Sequence, residues 1–115
     1  MNIETIREYC LSKRGVTEEF PFDETTLVFK VLGKIFLLSV LEGDLSMNVK
    51  CDPEKAIELR ELYPSVVPGY HMNKKHWNTV YIDGSLSDKM ILSLIDQSYM
   101  LTIMTLPKIK QRELT

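Results

Sequence analysis

At 115 residues the chain is the size of one ordinary domain, with no room for a second independent core. Hydrophobic residues make up 44% and charged residues 26%, a balance that excludes intrinsic disorder and lets the chain fold without a disulfide or metal. A net charge of -2 and a pI near 5.7 exclude a globally basic nucleic-acid footprint and a polybasic pull toward membranes.

The elements follow in chain order. Asn2 can cap a first helix that places Ile3, Ile6 and Cys10 on one face, and Lys13, Arg14 and Gly15 supply a C-terminal signal. The acidic segment 17–23, interrupted by Pro21, reads as an extended lead-in or edge segment and not a central strand. Phe20 and Phe22 there are expected to plug core edges. Residues 26–32 (TLVFKVL) alternate as a strand, Gly33-Lys34 forms a two-residue turn, and the nearly all-apolar run 35–41 returns as a central strand. After the Gly43-Asp44 turn, 45–50 gives a third strand with Met47 and Val49 inward.

Asp52-Pro53 starts a second helix, which stops before Pro64. Residues 66–70 and 78–82 read as two more strands, joined by the polar, basic linker 71–77 (HMNKKHW). Pro68-Gly69 reads as a sharp bend in which glycine takes a positive dihedral. A capping box at 85–88 opens a long helix carrying Ile91, Leu94, Ile95, Tyr99 and Ile103. Leu106-Pro107 breaks it, leaving 1–106 as the domain and 107–115 as a short basic tail with Lys108, Lys110 and Arg112. The order α-β(3)-α-β(2)-α with short turns predicts an α+β domain, an antiparallel sheet with helices packed on one face.

Several stretches match a known pattern: EEFPF at 18–22, LVFK at 27–30, GKIF at 33–36, KCDP at 50–53, PGYH at 68–71, NKKHWNT at 73–79, DGSL at 83–86 and IDQSY at 95–99. In these the chain resembles the MmcQ/YjbR-like family of small bacterial proteins, nearly from end to end. The resemblance implies a CyaY-like fold and a DNA-binding role through a double-wing arrangement of strands and turns. It implies no enzyme activity and no cofactor.

The charge is unevenly spread. Residues 64–82 contain no Asp or Glu, while Glu18, Glu19, Asp23 and Glu24 crowd one segment. Lys74 and Lys75 can neutralise phosphates, and Asn73, His76 and Asn78 can bond phosphates or base edges. Trp77 can stack on a base, but the expected role is structural, with the indole packed beneath the helices. Lys30 and Lys50 would widen the patch if both face outward on one sheet face with Met47 and Tyr81; the competing reading is that lysines simply blunt an exposed face. Weak, largely sequence-independent DNA contact through this hairpin loop is thus the first functional expectation. The alternative is a protein- or small-ligand-binding module using the open sheet face, with a partner chain or a second copy as occupant.

A third reading, an enzyme at a His71/His76 corner, has little to support it. His71 and His76 with Cys10 or Cys51 match no zinc spacing, and a nucleophile drawn from Cys51 or Ser65 has no motif around it. No catalytic residue, metal ligand or cofactor is expected. The first ten residues carry charge in helical alternation in place of a signal-peptide core, and the run 35–41 is too short to span a bilayer, so a cytoplasmic location is expected.

Overall fold

The computed structural model describes residues 1–70 and 72–114. Its elements are α1 (Ile3–Leu11), β1 (Val16–Glu19), β2 (Thr26–Val31), β3 (Lys34–Val40), β4 (Ser46–Lys50), α2 (Pro53–Leu62), β5 (Val66–Pro68), β6 (Trp77–Tyr81), α3 (Asp88–Met104) and α4 (Lys108–Arg112). The six strands form one sheet in the order β1-β2-β3-β4-β6-β5, with every neighbouring pair antiparallel. This is the expected α+β architecture with two additions. Part of the acidic lead-in pairs as the edge strand β1, and part of the expected tail forms the short helix α4, after which Leu114 folds back against the core.

Local chemistry explains most boundaries. The Asn2 side chain accepts the Thr5 N–H at 2.8 Å, and Asp52 caps α2 ahead of Pro53. The cap of α3 is Ser87, which accepts the Met90 N–H, two residues beyond the expected start of the box; Ser85 instead bonds Asp83 in the preceding turn. The β2–β3 turn is also displaced by one residue. Val31 pairs with Lys34, so Leu32 and Gly33 are the turn residues, with φ of 47° and 88°. Two positive dihedrals match the twist of a hairpin, and here leucine accepts one of them.

Alternation along the strands separates two faces. Leu27, Phe29, Val31, Leu37, Met47, Val49 and Val80 join Ile6, Ile91, Leu94 and Ile95 in the core beneath the helices. The opposite face carries Val28, Lys30, Leu38, Asn48, Lys50, Thr79 and Tyr81, as the strand register requires. Met47 therefore belongs to the core, whereas Tyr81 does not, and the two do not share a face. A bulge breaks the alternation on β3: Phe29 pairs with Leu37 and Lys30 with Ile35, so Phe36 is the extra residue and points to the core beside Leu37. There its ring meets Tyr99 edge-on at 5.4 Å.

Ser98 of α3 repairs the ladder next to this bulge. Its hydroxyl accepts the Lys50 N–H at 2.8 Å and donates to the Phe36 carbonyl at 2.5 Å. At the N-terminal end, Tyr9 and Lys13 both bond Asp96, tying α1 to α3. Arg7 holds Glu18 through two hydrogen bonds, tying α1 to β1 and keeping the Glu18 carboxyl below its ordinary range.

Cys10 and Cys51 are buried free thiols. Burial pushes Cys10 up to about 12 from the usual 9.0. The unfolded thiol ionises above pH ~9 while the folded one holds its proton, so unfolding releases a proton in that window. Stability is expected to fall as pH rises from about 9 toward 12. Denaturant melts of wild type and Cys10→Ala across this range check it: the variant should lose less stability with rising pH, and parallel curves would refute the assignment.

Candidate functional site

The loop joining β5 and β6 is built from the inside. Arg60, on α2, donates from Nε to Asn78 Oδ1 at 2.7 Å and from Nη2 to the carbonyls of Lys74 and Trp77. Asn78 is 1% exposed, and its Nδ2 reaches the Ala56 carbonyl at 3.4 Å. Asn78 thus fastens β6 to α2 beneath the sheet. Asn73 caps its own turn by accepting the Lys75 N–H, and the His76 carbonyl accepts the Cys51 N–H.

The remaining candidate residues separate. Lys74 and Lys75 are exposed, but Lys74 Nζ also donates to the Gly69 carbonyl at 3.2 Å. Lys30 lies two strands away from Lys50 and is ion-paired with Glu19 of β1. Lys50 stands across from Trp77 at the ends of β4 and β6. Trp77 is half-buried and lies outside the helix-side core, which corrects the expectation that it packs beneath the helices. Its register with Lys50 puts it on the open face. His71 lies outside the described residues. Among the described residues no group of three His, Cys, Asp or Glu side chains is gathered as a metal site. Burial raises the Cys51 thiol, which works against a thiolate there.

Gly69 also differs from expectation. It does not have a positive φ. Its small size is what matters: a Cβ there would lie 2.9 Å from both the Cβ and the carbonyl oxygen of Trp77. Its N–H donates to that same carbonyl, closing the loop neck.

The open face holds a feature absent from the sequence reading. A cavity of about 350 Å³ is lined by Phe22, Asp23, Thr26, Ile35, Leu38, Val40, Asn48, Tyr70 and Met72. Phe22 is 65% exposed and helps wall this cavity, so the FPF segment does not plug the core edge. The wall is mostly apolar, with one amide at its floor. Asn48 is 7% exposed, and its Oδ1 accepts from Thr79 Oγ1 at 2.5 Å. That hydroxyl in turn accepts the Tyr70 N–H at 3.0 Å. Asp23 sits at the rim, where the N–H groups of Thr25 and Thr26 hold its carboxyl below the ordinary range. No local sequence motif marks Asn48; the signal available was a polar residue inside an otherwise apolar strand pattern.

An antiparallel six-stranded sheet with helices on one face and none on the other defines a single-domain α+β protein. The YjbR family profile matches residues 11–101, and the chain belongs to that family. It is 41% identical over 110 residues to the YbdF protein of Escherichia coli O157:H7, covering 95% of this chain and 90% of that one. It is 36% identical over 113 residues to the YjbR protein of Escherichia coli K12, covering 97% and 96% of the two chains. Both relatives are described as uncharacterised proteins. The crystal structure of a Deinococcus radiodurans protein with a DUF419 domain superposes with a TM-score of 0.92 at 39% identity, covering 98% of this chain and 87% of that one. A Pseudomonas syringae crystal structure superposes with a TM-score of 0.78 at 31% identity, covering 89% and 99%.

Proposed function

We propose that this chain is a non-catalytic binding module whose working surface is the open face of the sheet, and that its ligand is a small molecule seated in the cavity above Asn48. The cavity carries the reading. Its volume of about 350 Å³ falls within the range of small-molecule sites. Its composition, aromatic and aliphatic walls around a few polar atoms, is also that of such sites. A nuclear magnetic resonance titration with small neutral aromatics, isopropylbenzene and acetophenone among them, tests it. Shifts should concentrate on Ile35, Leu38, Asn48 and Met72, and Val40→Trp, which puts an indole into the opening, should remove them. Probes that bind nowhere on this face would refute the reading.

Nucleic-acid contact through the loop is the second reading, favoured by the exposed Lys74 and Lys75 in a stretch without acids. With Lys30 paired to Glu19 and Lys74 shared with a backbone carbonyl, Lys75 and Lys50 are the cations best placed to meet phosphate. Roughly two contacts imply a slope near -2 for log affinity against log salt, with little dependence on sequence. Fluorescence anisotropy of a labelled duplex across a salt series checks this, using wild type and a Lys74→Glu/Lys75→Glu variant. Equal binding by both proteins, or none at low salt, would remove the reading.

A further inference from the structure

We infer that the open-face cavity is selective for a neutral carbonyl compound, a ketone, amide or lactone, whose oxygen accepts a hydrogen bond from Asn48 Nδ2. This deepens the small-molecule reading above and rests on it. Three observations carry the chemistry.

The first is the orientation of the amide. The Tyr70 backbone N–H can only donate, so Thr79 Oγ1 accepts from it. The hydroxyl keeps its own hydrogen for Asn48. That hydrogen is directed to Asn48 Oδ1, which can only accept. The Asn48 atom facing Thr79 is therefore the carbonyl oxygen, and the NH₂ group is turned away from it. The second observation is that this NH₂ group has no hydrogen-bond partner among the described residues, although the side chain is more than nine-tenths buried and lines the cavity. The NH₂ group remains reachable from the cavity, so a ligand that covers it must supply an acceptor or leave a donor unpaired, which is costly. The third concerns charge. Asp23, on the rim, is held ionised by the N–H groups of Thr25 and Thr26, so an anionic oxygen is disfavoured where a neutral one is accepted.

The fit has a consequence for discrimination. An apolar molecule of the same shape covers the Asn48 donor without giving it a partner, and sites built this way reject the analogue that lacks the acceptor. Hydrophobic filling supplies binding, and the amide supplies selection.

The test compares three matched probes by nuclear magnetic resonance titration: acetophenone, isopropylbenzene and benzoate. Wild type should bind acetophenone about tenfold or more tightly than isopropylbenzene, and benzoate more weakly than acetophenone. In Asn48→Asp the acceptor facing Thr79 is kept but the donor is lost, so the preference for acetophenone should vanish while isopropylbenzene still binds. Should that variant fail to fold, the three probes on wild type still decide the matter. Isopropylbenzene bound as tightly as acetophenone would overturn the carbonyl selectivity and leave the small-molecule reading standing. Benzoate preferred over acetophenone would overturn the neutral-ligand assignment. None of the three bound at the cavity would remove both.

Discussion

Replacing Ser98 with alanine is expected to destabilise the fold by about 2–4 kcal/mol, because two buried backbone groups lose their partner at once. Continuing the β3–β4 register, Leu38 with Asn48 and Leu37 with Val49, would place Phe36 opposite Lys50. The bulge at Phe36 prevents a regular pair, and the Ser98 hydroxyl lies in the gap, taking the Lys50 N–H and giving its own hydrogen to the Phe36 carbonyl. Alanine leaves both groups unpaired, with Phe36 fully buried above them. For a domain of this size, a loss of that order lowers Tm by roughly 10–20 °C. Calorimetry checks the melt, and hydrogen exchange at the Lys50 amide checks the cause: protection there should fall more than at Val49. If the melt is unchanged and the Lys50 amide stays protected, the strands have closed to bond directly and the serine is dispensable.

Gly69→Ala is expected to cost about 1–3 kcal/mol by overpacking. The added methyl group would meet the Trp77 Cβ and carbonyl oxygen at 2.9 Å, and the obstruction includes backbone, which cannot rotate away. Relief requires moving the loop neck, and that strains several contacts together. The Gly69 N–H bonds the Trp77 carbonyl, the adjacent Tyr70 N–H bonds Thr79, and Arg60 reaches the Trp77 carbonyl from the other side. The variant should therefore melt earlier and also lose probe binding at the open-face cavity, since Tyr70 and Met72 line it. Trp77→Ala is expected to be milder than removal of a core aromatic, because the indole is half-buried and outside the core. A Gly69→Ala protein with wild-type stability and wild-type probe binding would show that the neck is compliant.

The α+β class, the antiparallel meander, the central apolar strand β3 and the three long helices were legible in the sequence. Each rests on a local signal that survives in any context. Asn2 and Asp52 supply cap oxygens to orphan N–H groups, Pro53 fits a first helical turn, and the apolar, β-branched runs of β2 and β3 mark strands. The fine placement of turns was less legible. The Leu32-Gly33 turn and the Ser87 cap each compete with an equally plausible neighbour, and long-range strand pairing selects between them.

The candidate site was decided by tertiary structure. Composition located a basic, acid-free loop, but could not tell that Asn78 would be consumed by Arg60 and Ala56, or Lys30 by Glu19, since those partners come from other elements. Asn48 is unremarkable in sequence. Its NH₂ group is turned toward the cavity only because β6 sets Thr79 beside it and the loop neck delivers the Tyr70 N–H to that hydroxyl. Local chemistry determines helices, strands and caps because their signals act within a few residues. A cavity and the direction of a buried amide depend on groups from several elements meeting in space, and only the folded sheet brings them together.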